Sequence, residues 1–181
     1  MKLVLGAILS GVVLMIWGFI FWATPISAPA YQHTPNAEVL GEALLTHLPA
    51  DGTYIFPDMQ GLEESEFIKR HEAGPLATIH FRSAGVTAME PMVFVKGFLH
   101  YVVTALVLGI LLTLVGVGGR TYGSKVMIIF VAGLAAMIWS GLTETIWFYH
   151  PMPYHMAQIV YGLVSWLLMG LVLGAFIKAK R

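Results

Sequence analysis

Histidine and glutamate side chains gather around one bend in an otherwise apolar chain, at TETIWFYHPMPYHMAQ (143–158). Pro151 and Pro153 favour a tight turn there, which would hold the two flanking apolar segments side by side. Four side chains are then candidates for one shared metal site: His100, Glu144, His150 and His155. Neutral imidazoles and a carboxylate are ligands that zinc, copper and non-haem iron accept. The pattern gives a transition metal as one alternative and a haem held between two histidines as another.

Polar residues inside the apolar segments define a second candidate cluster, which overlaps the first. A spacing of four residues puts side chains on one face of a helix. The cluster consists of Lys96, His100, Thr104, Ser140, Glu144 and Gln158. Lys96 and Glu144 carry opposite charges at matching depth, so we expect them to pair, or each to find a histidine or hydroxyl partner. The simplest interpretation of the cluster is polar contact between helices.

Other catalytic chemistry finds little support in the sequence. The 181 residues include no cysteine, which excludes thiolate catalysis, iron–sulfur ligation and disulfides. The sequence contains neither an HExxH motif nor a G-x-S-x-G nucleophile elbow. GVGGR (116–120) lacks the lysine and hydroxyl of a phosphate-binding loop and is predicted to be a turn. Ten basic and ten acidic residues cancel, so nucleic acid is not an expected partner.

The elements that must position these residues are four apolar segments. The chain is 57% hydrophobic and 11% charged, with a mean hydropathy of +0.77, whereas soluble domains carry about 25% charged residues. A helix crosses a bilayer with about 20 residues. The predicted spans are 3–23, 93–117, 124–148 and 155–177. We therefore predict an all-α membrane protein, a four-transmembrane-helix bundle with a small α+β extracytoplasmic domain inserted between helices 1 and 2.

The predicted division of the chain has three parts. Residues 1–23 form the first span, 24–92 the inserted domain, and 93–181 the other three spans with a cytoplasmic loop at 118–124 and a basic C-terminal tail. The first span is predicted to be a retained anchor, although SAPA (27–30) would also suit a signal cleavage site.

Lysine and arginine residues beside the spans predict the orientation. Six of them fall on one side of the predicted spans: Lys2, Arg120, Lys125, Lys178, Lys180 and Arg181. The positive-inside rule assigns that side to the cytoplasm. Both termini are thus predicted to be cytoplasmic and 24–92 extracytoplasmic, in a plasma membrane of the bacterial inner type.

The inserted domain is predicted to be folded and acidic. It holds nine acidic residues against three basic ones, a net charge of −6. Its pattern predicts a helix from Pro35 to about His47, a strand at 53–56, a short helix ended by Gly74, and a strand within LATIHFRS (76–83). So small a unit buries little apolar area alone, and we expect it to rest on the helix ends.

Small residues at spacings of four predict close helix packing. Gly170 and Gly174 form one such pair, and Ala132 with Ala136 forms another. These positions are either internal seams of the bundle or contacts with another membrane protein or a second copy.

The function predicted from these features is that of a non-catalytic accessory, assembly or interaction subunit. Its acidic inserted domain and small-residue seams would contact a partner membrane protein within the lipid bilayer. One alternative is a metal- or haem-binding redox protein with its site at the outer membrane face. A further alternative is a binder of lipid or of another small molecule.

Overall fold

The computed structural model describes residues 1–116 and 120–177. Six α-helices and two strands are present in these ranges, together with a short 3-10 helix at Pro25–Ala30. The helices are α1 (Lys2–Trp22), α2 (Ala37–His47), α3 (Glu64–Ala73), α4 (Pro91–Leu114), α5 (Tyr122–Trp147) and α6 (Met152–Phe176). The strands are β1 (Gly52–Phe56) and β2 (Ala77–Phe81). The predicted loop at 118–124 and the basic tail lie partly or wholly outside the described residues, at 118–119 and 178–181.

Helices α1, α4, α5 and α6 are each long and apolar enough to cross a membrane. This confirms the prediction of four long apolar helices, and their ends differ from the predicted ones by a few residues. α4 begins at Pro91 because proline suits the first helical position. It ends at Leu114, three residues before the predicted end, because Gly116 takes a φ of +65°, a conformation that ends helices. α6 begins at Met152, directly after Pro151.

The four long helices form an open row rather than a closed square. α1 packs against both α4 and α6, and α5 packs along α6, whereas α4 and α5 barely touch. The buried core follows this order and is built from α1, α4, α5 and α6 residues, among them Ala7, Leu14, Leu108, Ile129 and Leu173. One side of the bundle, between α4 and α5, therefore stays open.

The seam between α5 and α6 depends on glycines. A Cβ on Gly170 would lie 3.2 Å from the backbone oxygen of Val126, and one on Gly174 would lie 3.2 Å from the ring of Tyr122. Both predicted packing residues of α6 are therefore at an internal seam. On α5 the buried seam glycines are Gly133 and Gly141, which lie against α6 side chains.

The two predicted packing residues on α5 lie away from that seam. Ala132 lies beside Leu111 of α4 and Arg120, in a shallow depression on the open side. Ala136 follows one turn later on the same face and is partly buried. The α5–α6 contact is thus formed at the glycines rather than at these alanines, and the prediction that Ala132 and Ala136 form either an internal seam or an external contact stays a prediction.

Lys125 departs from its predicted place beside the span. The residue is 6% exposed, and its Nζ donates a hydrogen bond of 2.6 Å to the carbonyl oxygen of Ile177. That oxygen follows the last turn of α6, where unpaired carbonyls favour a cation. Lys125 therefore ties the beginning of α5 to the end of α6.

Residues 23–90 between α1 and α4, called the insert below, have the predicted order of helix, strand, helix and strand. β1 and β2 are antiparallel, with Gly52 opposite Phe81 and Phe56 opposite Ala77. Two details differ from the prediction: α2 begins at Ala37 rather than Pro35, and the 3-10 helix was not expected. Neither α2 nor α3 contains a fully buried residue, so neither helix forms a core of its own.

The insert rests on the end of the bundle, as the sequence leads us to expect. The 3-10 helix packs against α1 and α6. The ring of His71 lies 5.6 Å from that of Tyr149, and the ring of Tyr31 lies 5.8 Å from that of Tyr154. We call this end of the bundle, where α1 and α5 end and α4 and α6 begin, the insert end.

Candidate functional site

A cavity of about 390 Å³ lies among all four long helices. It extends from Trp22 and Gln158 near the insert end to Leu14 and Met169 near the middle of the bundle. The cavity exists because the four helices form an open row, in which α4 and α5 make little contact with each other. The cavity thus lies beside the gap between these two helices.

Four of the six predicted cluster residues line this cavity: His100, Thr104, Ser140 and Gln158. They come from three helices, and His100, Ser140 and Gln158 lie nine, seven and six residues from the insert ends of their helices. At 1.5 Å per residue these depths are roughly 9–14 Å. The polar faces of the three helices therefore meet at one level.

Three hydroxyl groups in the cavity wall are bonded to their own helices. Thr104 donates to the carbonyl oxygen of His100 at 2.9 Å, and Ser140 donates to that of Ala136 at 2.9 Å. Ser165, which was not in the predicted cluster, donates to the carbonyl oxygen of Tyr161 at 2.8 Å. Such bonds let hydroxyls sit in an apolar helix without a partner on another helix.

An aromatic group forms the wall on the side of α1. The hydroxyls of Tyr101 and Tyr161 are 2.6 Å apart. The indole nitrogen of Trp17 donates to the carbonyl oxygen of Tyr161 at 3.2 Å, and the two rings are stacked. Trp22 packs on the same tyrosine, with ring centroids 5.3 Å apart.

Sequence reasoning assigned no role to the tyrosine pair. Tyr101 directly follows His100, and Tyr161 is three residues after Gln158, so both were near the predicted polar faces. The available signal was a tyrosine on each of two polar-faced helices, but nothing in the sequence indicates that these two side chains meet.

Lys96 and Glu144, the remaining predicted residues, do not line the cavity and do not pair with each other. Lys96 is exposed on α4. Within residues 1–116 and 120–177, the contacts between a basic and an acidic side chain are Arg70 with Glu66 and His150 with Glu144, and the second is an ion pair only when His150 is protonated. The gap between α4 and α5 separates Lys96 from Glu144, and Glu144 has the histidine partner that was the other expectation.

The turn between α5 and α6 holds a second group of ionisable side chains. Glu144 Oε2 lies 3.7 Å from His150 Nδ1, and the backbone oxygen of Glu144 accepts from the amide of His150 at 3.3 Å. The rings of His150 and His155 are stacked, with centroids 5.3 Å apart. His155 is 4% exposed, and its Nε2 has no hydrogen-bond partner among the described residues.

The predicted metal site of His100, Glu144, His150 and His155 is not formed. No group of three or more histidine, aspartate or glutamate side chains is arranged to hold a metal ion within the described part of the chain. His100 lines the cavity, whereas the other three residues lie at the turn. Stacking also presents the faces of His150 and His155 to each other, and two histidines that hold a haem iron must direct ring nitrogens at it.

The comparisons with known proteins found no match: no protein-family model, no curated protein and no solved structure is similar to this chain. Function must therefore be argued from the cavity and its surroundings.

Proposed function

We propose that this protein is an integral membrane protein that binds a small amphipathic molecule, a lipid or a lipid-like compound, in the cavity among its four long helices. The observation that carries the proposal is the convergence of His100, Ser140 and Gln158 on one apolar cavity. Apolar cavities with a few convergent polar groups are the usual form of small-molecule sites.

The size of the cavity limits what can enter it. Ligand sites occupy about 300–1,000 Å³, and 390 Å³ lies near the small end of that range. At about 30 Å³ for each water-sized group, the volume holds roughly a dozen such groups. A polar headgroup with the first part of a chain fits, and the rest of a longer chain would pass between α4 and α5 into the bilayer.

The proposal includes the orientation predicted by the basic residues. Lys2, Arg120 and Lys125 lie at the end of the bundle opposite the insert, and such residues favour the cytoplasmic side. With both termini in the cytoplasm, the insert is extracytoplasmic and the cavity opens toward the outer leaflet of a bacterial inner-type membrane.

Native mass spectrometry of the protein released from nanodiscs tests the binding. We expect the wild-type chain to retain one lipid molecule at an energy that strips loosely bound lipid. Thr104→Phe should abolish retention because the larger side chain fills the cavity from α4. Val103→Phe is the matched control, since Val103 is 57% exposed on the same helix and does not line the cavity.

Two results would contradict the proposal. One is a wild-type chain that retains no lipid under these conditions. The other is equal retention by the two phenylalanine variants, provided that both unfold at the wild-type temperature.

A second proposal, the accessory function predicted from the sequence, is supported by the open side of α5. Ala132, Ala136 and Ser140 follow one another at spacings of four on that side, where a helix of a partner could approach closely. Ala136→Leu should then remove a membrane protein that co-purifies in mild detergent, whereas Ala135→Leu on the neighbouring exposed position should not. Purification of the wild-type chain with no stoichiometric companion would speak against it.

A further inference from the structure

The hydrogen bonds of the cavity wall restrict the chemistry of its ligand. A serine or threonine hydroxyl has one proton and two acceptor lone pairs. The protons of Thr104, Ser140 and Ser165 are all donated to helix carbonyl oxygens. Toward a ligand these three oxygens can therefore act only as acceptors, and the ligand must supply the proton.

The tyrosine pair, in contrast, can donate a hydrogen bond to the ligand. Tyr101 and Tyr161 share one hydrogen bond of 2.6 Å, which uses one of their two hydroxyl protons. The second proton remains available for donation. A ligand that satisfies both the pair and the helix hydroxyls must accept one hydrogen bond and donate another.

Charge restricts the ligand further. The described residues that line the cavity include no aspartate, glutamate, lysine or arginine. A phosphate or ammonium headgroup beside Ser140 and Ser165 would have no charged lining residue in contact with it, because Lys96 and Glu144 lie one turn closer to the insert end and outside the cavity wall. Burial of an uncompensated charge is costly. The headgroup that fits is uncharged.

Resting on the proposed function, we infer that the ligand is a lipid whose headgroup is uncharged and carries a free hydroxyl. A hydroxyl donates to one of the serine or threonine oxygens and accepts from the tyrosine pair, which an ether or ester oxygen cannot do. Diacylglycerol is a suitable probe for this class because its hydroxyl can be blocked without other change.

The experiment compares three probes with the same oleoyl chains in nanodiscs that hold the wild-type protein. They are dioleoylglycerol, its methyl ether and dioleoyl phosphatidate, each titrated against the intrinsic tryptophan fluorescence. Two of the five tryptophans, Trp22 and Trp166, line the cavity and report on it. We expect dioleoylglycerol to bind about three- to tenfold more tightly than the methyl ether, the loss expected for one hydrogen bond. Phosphatidate should bind more weakly than dioleoylglycerol.

The double variant Thr104→Val and Ser140→Ala adds a test within the cavity. It removes two acceptor oxygens with little change in shape, so dioleoylglycerol and its methyl ether should become more nearly equal in affinity. Thr113→Val is the matched control, because Thr113 makes the same bond, to the carbonyl oxygen of Gly109 at 2.9 Å, but lies on α4 outside the cavity.

The possible results distinguish failure of the hydroxyl inference from failure of the proposed lipid binding. Equal affinity of the wild-type protein for dioleoylglycerol and its methyl ether would overturn the hydroxyl inference and leave lipid binding standing. Tighter binding of phosphatidate would overturn the requirement for an uncharged headgroup. Absence of binding by all three probes, together with loss of retained lipid in mass spectra, would overturn the proposed function itself.

Discussion

Glu144 takes its partner from the turn that follows its own helix. His150 lies six residues farther along the chain, and the chain reversal brings its Nδ1 to 3.7 Å from the carboxylate. Lys96 has the opposite charge, but it lies on α4 across the open side of the bundle. Charge and depth left two partners possible for Glu144, and the structure has the histidine. A local turn can bring a partner closer than a matching depth on another helix can.

Asp51 in the insert provides a prediction at the scale of single residues. Its carboxylate accepts hydrogen bonds from the backbone nitrogen of Ser83 at 2.8 Å and from the Ser83 hydroxyl at 2.7 Å. These bonds, the backbone one first, hold the pKa of Asp51 below its ordinary value of 3.8. A lowered folded-state pKa adds stability above pH 3.8, and that stability is lost as the pH falls through the folded pKa.

Ser83→Ala should therefore raise the pKa of Asp51 toward 3.8 without reaching it, because the backbone bond, which lowers the pKa more than the side-chain bond does, remains. Carbon-13 NMR of the labelled carboxyl group during acid titration measures this shift. Ser65→Ala on α3 serves as the control for loss of a serine hydroxyl. An Asp51 titration curve unchanged by Ser83→Ala would show that the side-chain bond does not hold the pKa down.

At the scale of elements, α5 and α6 act as one paired unit. The proline-containing turn reverses the chain, glycines let the two backbones approach, and Lys125 joins their far ends. α4 has no comparable seam with α5, so the cavity opens on the side where this pairing is absent.

The seam yields a prediction about its glycines. Gly170→Val should lower the free energy of unfolding by about 1–3 kcal/mol, since added atoms in a well-packed contact force shifts of that cost. The obstacle at Gly170 is the backbone of Val126, which cannot move aside as a side chain can. Gly97→Val on α4 is the matched control, because no atom lies within 4 Å of the Cβ that it adds. Thermal unfolding in one detergent compares the two variants, and equal shifts would refute the seam as a source of stability.

At the scale of the whole molecule, the bundle of four long helices has two different ends, and only one of them is covered by the acidic insert. The insert covers one end and carries nine acidic and three basic residues, a net charge of −6, and the beginning of α5 lies at the other end. The proposed orientation assigns the insert to the outside of the membrane.

Because the chain contains no cysteine, single-cysteine variants can test this orientation directly. Ser65→Cys on α3 should react with a membrane-impermeant maleimide in intact cells. Gly123→Cys in the first turn of α5 should react only after the membrane is permeabilised. The reverse pattern would invert the topology and place the cavity in the inner leaflet half.

Much of this protein follows from sequence because much of it depends on local interactions. Apolar length determines the four long helices, and proline or glycine determines where α4 begins and ends. The helix and strand order of the insert likewise follows from local turn residues and periodicity. Such features need only neighbours along the chain, so their signals remain readable without a fold.

Tertiary structure alone decided which helix faces meet. Periodicity puts His100, Ser140 and Gln158 on polar faces, but it does not show that α4 and α5 remain apart and leave a cavity between them. Periodicity also does not predict the hydrogen bond between Tyr101 and Tyr161, or that His100 lies apart from the histidines at the bend. These outcomes depend on how side chains and glycines of distant segments pack, and a one-dimensional pattern does not contain that geometry.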